Sequence, residues 1–462
     1  MADIGKILVN VYRENSYIPV TGARVTITPS GAQETRQDIV LTTNSAGQTE
    51  AVDVEAPPIE LSLDPQQAEM PYSLWNINVE AEGYEPITVE GCQVLSETTS
   101  IQNFNLSSLT RNHREMQIER VIIVPDITLF GNFPPKIPED PEKTLPPPPS
   151  GFVVLPNPVV PEYVTVHAGA PTNAGAPNYR VPFKDYIKNV ASCEIYATWP
   201  ESAIRANIYC ILSFTLNRIY TEWYRGKGYN FDITNSTAFD HAFTYGRNIF
   251  DNISRIVDET FTTYIRRRGA KQPLLAQYCD GQRVKCPGWL TQWGSKFLGD
   301  QGKIPYEILT NFYGNNIDLV TAERVAGSPQ SFPGYTLEIG SSGEPVRVIQ
   351  TQLNRIAQNY PLIPKVAVDG VYGPSTAESV RVFQSIFNLP QTGTVDYATW
   401  YQISNIYVGV TRIAELRSSM GIESREARVL EEELNRNSKS IFIPPTPYKG
   451  IWNVPRVEYP VD

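Results

Sequence analysis

Histidine is almost missing from this chain: there are three in 462 residues, His113, His167 and His241. A zinc centre of the usual histidine-rich kind is therefore hard to build, and no metal site or other cofactor is expected. Cysteine is sparse too, and Cys92, Cys193, Cys210, Cys279 and Cys286 do not make a disulfide framework. Only Cys279 and Cys286, in "YCDGQRVKC", are near neighbours. They could close a small loop, share a metal or stand as unlinked thiols. Positive charge is in deficit, with 39 Lys and Arg against 49 Asp and Glu. That balance argues against nucleic acid as a partner, because phosphate backbones attract Lys/Arg-rich surfaces. No apolar run approaches the roughly 18 residues that a membrane span needs. The start, "MADIGKILVNVYREN", has neither the apolar core nor the small-residue cleavage site of a secretory signal. The expectation is a soluble protein released inside the cell that makes it.

What is abundant is tyrosine (25) and proline (38). Tyrosine suits surfaces that stack on sugars or peptides, and it also fills cores. The length predicts about two to four domains, with an overall multidomain α+β class. Residues 1–108 read as β: "KILVNVY" and "ARVTITP" alternate apolar and polar residues, and "TGA", "NSAGQ" and "EGYEP" mark turns. Short strands at this spacing predict a β-sandwich. Residues 109–153 form a Pro-rich linker. Twelve prolines lie between Pro125 and Pro161, including "LPPPPSG", so the stretch is extended and cannot join a sheet interior. The apolar segment Gly151, Phe152, Val153, Val154 and Leu155 at its C-terminal end is a candidate protease cleavage region.

Residues 154–326 read as a mixed α+β centre. Ala203, Ile204, Ile208, Ile211, Leu212, Thr215 and Ile219 predict a helix with a broad buried face, with Pro200 in its first turn. Phe250, Ile253, Ile256, Val257 and Phe261 predict a second helix, ending in "RRRG". In the unit 327–410, Val346, Ile349, Leu353 and Ile356 share a helical face. Ser375 and Glu378 read as a capping box. "DGVYGPST" and "TGTVDYAT" look like one turn device used twice. Residues 411–462 form a tail with the charged amphipathic stretch "REARVLEEELNRNSK".

Three family resemblances follow from these stretches. "PVTGARVTI", "TTNSAGQTE" and "INVEAEGYEP" resemble a transthyretin-like, carboxypeptidase-regulatory sandwich. The segment from Gly343 to Trp400, through Gln350, Asp369, Gly370, Gly373, Thr376, Gln384 and Gly393, resembles a three-helix peptidoglycan-binding domain. This resemblance implies peptidoglycan as partner, with Asp369, Gly370, Tyr372, Thr376 and Gln384 as candidate wall-binding residues. The centre resembles the stage II sporulation protein D family of lytic transglycosylases. One block runs from Tyr186 through Glu194, Trp199–Pro200, Glu201 and Ala206 to Ser213; the other includes Gln292, Gly294, Gln301, Gly302, Tyr306, Glu307 and Tyr313. That family's catalytic glutamate falls on Glu194. Where some members carry a Cys/His metal-binding stretch, this chain has "FDITNSTAFDHAFTYG".

The chemistry can be weighed beside the resemblance. Cleaving a glycosidic bond needs a proton for the leaving oxygen, and a buried carboxylic acid can supply it near neutral pH. Hydrolases usually add a second carboxylate. Lytic transglycosylases use one, because the muramic acid's own C6 hydroxyl is the nucleophile. Glu194 is the candidate acid, with Ala191, Ile195, Ala197 and Trp199 as an apolar wall. Gln292, Trp199, Tyr278 and Trp293 are the candidate substrate-binding residues. Glu201 is expected to face solvent at a helix start, where the dipole favours its charge. The order of units resembles the pre-pro form of spore cortex-lytic enzymes of anaerobic spore formers (the SleC type). It implies a zymogen in the spore cortex or coat region, activated at germination by a subtilisin-like serine protease. A cell-wall amidase and an inactive wall-anchoring protein are the alternatives, and the poverty in histidine argues against the amidase.

Overall fold

The computed structural model describes residues 3–13, 18–31, 38–109, 120–129, 134–137, 139, 158–284, 286–324, 333, 335–396, 398–400, 402–404, 406–407 and 410. The expected cleavage region Gly151–Leu155 and the tail 411–462 lie outside the described residues. No helix among the described residues is long and apolar enough to cross a membrane.

The N-terminal strands are β1 (Asp3–Arg13), β2 (Arg24–Pro29), β3 (Ile39–Thr42), β4 (Val52–Ala56), β5 (Tyr72–Glu80), β6 (Ile87–Leu95), β7 (Thr99–Leu106) and β8 (Arg120–Ile123). One sheet runs β3-β2-β5-β6-β8, and a second places β1 between β4 and β7. The alternation seen in sequence turns Ile7, Val9 and Val11 of one sheet toward Val25, Ile27, Ile77 and Val79 of the other. Trp75 and Phe104 complete that core.

The centre comprises β9 (Val159–Val160), β10 (Tyr163–His167), β11 (Asn178–Pro182), α1 (Phe183–Glu194), α2 (Glu201–Tyr220), β12 (Ile233–Thr234), β13 (Ile249–Phe250), α3 (Asp251–Thr260), β14 (Thr263–Arg267), β15 (Tyr278–Cys279), β16 (Leu290–Thr291), α4 (Gln292–Asp300), α5 (Pro305–Tyr313), β17 (Ile317–Thr321) and β18 (Glu323–Arg324). α2 is the hub, packed by α1, α3, α4, α5 and β14. A helix covered on so many sides buries polar residues, and these must be paired. The Asn207 amide donates to Ala203 O and Ser295 Oγ, and Asn217 donates to Pro273 O. Two expectations need correction. α2 begins at Glu201, with Pro200 as its cap. α3 ends at Thr260, and Arg266 and Arg267 of "RRRG" lie on a strand instead of a helix end. Thr263, Tyr264 and Ile265 favour a pleated backbone, and β17 pairs antiparallel with them, Tyr264 opposite Val320.

The sandwich and the centre are not separate units. β13 adds to the open edge of β7, Ile249 opposite Ile101 and Phe250 opposite Ser100. Beside it, Gln93 N–H donates to Asn248 Oδ1 at 3.0 Å and the Asn248 amide returns a bond to Gln93 O at 2.9 Å. The buried Arg247 donates to Ser192 O at 2.6 Å and to Gln93 Oε1. Trp199 Nε1 donates to Ser62 O, and Leu129 N–H donates to Tyr196 Oη. Tyr72, Leu95 and Leu129 belong to the same apolar core as α1 and α2.

The C-terminal unit holds α6 (Glu344–Ile356), α7 (Pro374–Ile386) and helical residues between 398 and 410. Val346, Ile349, Leu353 and Ile356 all face its core with Phe383, Trp400 and Ile403. The capping box expected at Ser375 is absent. Pro374 starts α7, so the cap falls two residues earlier, on Gly373, and Glu378 pairs with Arg381 at 2.6 Å.

The shared sheet and core carry a prediction. A single protease cut within residues 140–157 should leave the two fragments associated in non-denaturing buffer, eluting together by size exclusion. Spontaneous separation at micromolar concentration would refute the junction as a stable interface.

Candidate active site

Glu194 is the last residue of α1, and its side chain is 9% exposed. The chain then turns through Ile195–Pro200, where Ile195, Tyr196, Ala197 and Trp199 are buried and Thr198 and Pro200 are half-buried. Both carboxylate oxygens accept hydrogen bonds. Ala242 N–H donates to Oε1 at 2.7 Å, and Gln292 Nε2 donates to Oε2 at 3.0 Å. Gln292 Nε2 also reaches the Glu194 backbone carbonyl at 2.8 Å. Gln292 opens α4 and is held through Ser295, which donates to Gln292 O and accepts from Asn207 of α2. The residue expected to position a sugar thus grips the acid itself.

Tyr278 lies beside this carboxylate. Burial first, and the Glu194 charge second, push its pKa well above the ordinary tyrosine range. Its hydroxyl lies within reach of the Glu194 carboxylate but completes no well-aligned hydrogen bond among the described residues. The ring stacks on His241 at 5.7 Å, and Lys136 Nζ sits 4.3 Å over its centre. Cys279 follows directly and is disulfide-bonded to Cys286, which settles the alternatives left open by the sequence. The bridge closes a loop whose Asp280 carboxylate accepts from Arg283 and Val284 N–H.

Trp199 and Trp293 meet at 4.8 Å between ring centres, with Tyr196 edge-on to both. All three are buried. The two tryptophans expected at the substrate are thus packed in the central core, and Trp199 reaches Ser62 of the N-terminal region. Glu201 behaves as expected for a helix start. It is exposed and paired with Arg205 and Arg255, and the Arg255 bond leads in holding its pKa below the usual range.

Sequence reading missed the polar cluster behind Glu194. Arg218 of α2 is wholly buried and donates Nε to Asp240 Oδ1 at 2.8 Å. The other Asp240 oxygen accepts from Tyr224 Oη, Thr234 N–H and Thr234 Oγ1. Next to it, His241 is buried among Phe214, Tyr186 and Tyr278, with Nδ1 3.1 Å from Tyr186 Oη. Burial, reinforced by the Lys136 and Arg218 charges, holds its pKa well below the ordinary value. No group of three or more His, Cys, Asp or Glu among the described residues is arranged to hold a metal ion.

The five candidate wall-binding residues lie in the C-terminal unit, where they build turns. Gln350 Nε2 donates to Asp369 Oδ1, Val371 O and Thr376 Oγ1, while its oxygen accepts from Gly370 N–H. Gln384 repeats this with Thr392, Thr394, Thr399 and Gly393. Gly370 and Gly393 have φ of +76° and +70°, the left-handed region that favours glycine. Tyr372 Oη donates to Gly393 O and joins the two devices. The turn pattern read twice in the sequence is one hydrogen-bonded latch used twice.

The peptidoglycan binding domain family model matches residues 342–403. This part of the chain is therefore a peptidoglycan-binding domain, and it marks a protein associated with the cell wall. No curated protein matches the chain. Among solved structures, the chain is similar to 3-chlorocatechol 1,2-dioxygenase from Rhodococcus opacus 1CP, with 10% identity and a TM-score of 0.17. That match takes in 24% of this chain and 62% of the other, and at this score it carries no argument.

Two predictions follow from the geometry. Gln350→Ala and Gln384→Ala each strip a latch and leave buried donors and acceptors unpaired. Each should cost the C-terminal domain about 2–3 kcal/mol in thermal or denaturant unfolding. Loss of wall binding with unchanged stability would instead restore these residues as ligand contacts. For His241, the unfolded chain takes up a proton below about pH 6.5 while the buried ring does not, so stability declines as pH falls through that value. His241→Gln should make the fall in melting temperature between pH 7 and pH 5 shallower; an unchanged slope would contradict the assignment.

Proposed function

We propose that the chain is a lytic transglycosylase that cleaves the glycan strands of peptidoglycan, with Glu194 as its single acid and base. The observation that carries this reading is the grip on one carboxylate, by the Ala242 N–H and the Gln292 amide, beside the buried hydroxyl of Tyr278. The neighbouring acid, Asp240, has its oxygens taken up by Arg218, Tyr224 and Thr234, so it is poorly placed to activate water. A lone acid suits a reaction whose nucleophile comes from the substrate.

In that reaction the Glu194 proton goes to the glycosidic oxygen as its bond to the muramic C1 breaks. The muramic C6 hydroxyl oxygen bonds to C1 and gives its proton back to Glu194. The products are a free sugar end and a 1,6-anhydro-muramyl end, and no water is consumed. Gln292 holds the carboxylate in one orientation, and the Tyr278 hydroxyl can donate to substrate or acid. The peptidoglycan-binding domain would keep the enzyme on its polymer. The order of parts suits a spore cortex-lytic zymogen: a sandwich read as transthyretin-like, a Pro-rich tether that a subtilisin-like protease would cut, then catalytic and binding domains.

Mass spectrometry of digested cortex separates the readings. Glu194→Gln should lower release of anhydro-muramyl products by about 10²–10⁴-fold while wall binding persists. Full activity in that variant would remove Glu194 from the chemistry. Freed stem peptides would indicate an amidase, and no product from the protease-treated chain would indicate an anchoring protein.

A further inference from the structure

The tether is not a bystander to this site. Pro134–Ile137 and Glu139 lie along the buried cluster behind Glu194. Ile137 N–H donates to Ala238 O at 2.9 Å. The Gln277 side chain reads the tether backbone in both directions, donating Nε2 to Ile137 O at 3.0 Å and accepting Glu139 N–H at Oε1 at 3.1 Å. Lys136 Nζ donates to Asp240 O at 2.9 Å. The Ile137 side chain points to solvent, so backbone and charge make the contact. At its end, Glu139 forms a two-pronged bond with Arg218, Oε1 to Nη2 at 2.6 Å and Oε2 to Nη1 at 2.9 Å.

Arg218 does not need Glu139 in order to stay buried. Asp240 already neutralises it through Nε, and Phe214 and Trp223 lie along its guanidinium. Without the tether, a fixed and compensated arginine would keep Nη1, and the Nη2 hydrogen not given to Phe239 O at 3.2 Å, turned to the vacated space, and Gln277 would regain a free amide. That set of donors fits a carboxylate standing next to an amide. We infer that Arg218 and Gln277 form a carboxylate-binding subsite beside Glu194, which the tether occupies with Glu139 as an internal ligand.

Resting on the peptidoglycan reading, the ligand class is a carboxylate carried on an N-acetylated muramyl unit. Its source is either the lactyl carboxylate of a muramic acid without its peptide or a carboxylate of an attached stem peptide. An internal ligand competes at a high effective concentration, so the uncut chain would exclude the external one. Loss of the Glu139 charge would tip the competition.

The test is binding, measured on the full chain by ligand-observed NMR titration. The probes are N-acetylmuramic acid, N-acetylmuramoyl dipeptide and neutral N-acetylglucosamine. Glu139→Gln should raise affinity for an acidic probe by about tenfold or more over the native chain, leaving N-acetylglucosamine unbound. Preference for the first probe assigns the lactyl carboxylate, and preference for the second assigns the stem peptide. Adding Arg218→Lys should reverse the gain while Asp240 keeps its cationic partner, with the melting curve as a check on folding. Equal binding of acidic and neutral sugars, or no binding of either acidic probe by a folded Glu139→Gln or Glu139→Ala chain, would overturn the proposal. Because no turnover is read, this outcome is separate from the product analysis that tests Glu194.

Discussion

A guanidinium taken wholly out of water must be paired, and the candidate site is arranged around that demand. Arg218 sits on the hub helix and draws Asp240 to it. Asp240 in turn collects Tyr224 and Thr234, which fixes the otherwise irregular chain between β12 and β13. Two residues beyond Asp240, Ala242 presents its N–H to Glu194. On the other flank, α2 holds α4 through Asn207 and Ser295, and so holds Gln292. α2 therefore sets both groups that grip the carboxylate without touching it.

Much of the local structure was legible in the sequence. Alternation in "KILVNVY" and "ARVTITP" located strands whose inward residues are the sandwich core. The spacing from Ala203 to Ile219 located α2, and the Val346–Ile356 face located α6. Glu194 and Gln292, from separate sequence blocks, do come together. Long-range pairing was not legible. Nothing local in Ile249–Phe250 says that it will extend a sheet whose other strands precede residue 107. Nor does a Pro-rich stretch announce that Glu139 will meet Arg218, since that contact depends on where the folded centre leaves two unused donors. The "RRRG" motif misled because helix-end chemistry and strand pairing compete, and the partner strand β17 decides.

The residues that carry the wall-domain pattern teach a related lesson. Gln350 with Gly370, and Gln384 with Gly393, recur because each amide closes a left-handed turn against a helix. Their recurrence reports the architecture of the domain. The surface beside them is different: Val368 and Val371 are exposed there, and Arg347 and Arg381 reach over the two glycine turns. A pattern that identifies a domain need not identify where it touches its ligand.

The borrowed strand has a consequence for synthesis. β7 is complete once Leu106 has been made, yet its edge partner arrives only with Ile249 and Phe250. At ribosomal speed, that edge stands open for on the order of ten seconds. An unpaired edge invites pairing with another chain, and polar side chains are one way to blunt it. Ser100, Gln102, Asn103 and Asn105 stud β7 with such groups. The strand is therefore built to wait: its composition suits the nascent chain as much as the finished fold.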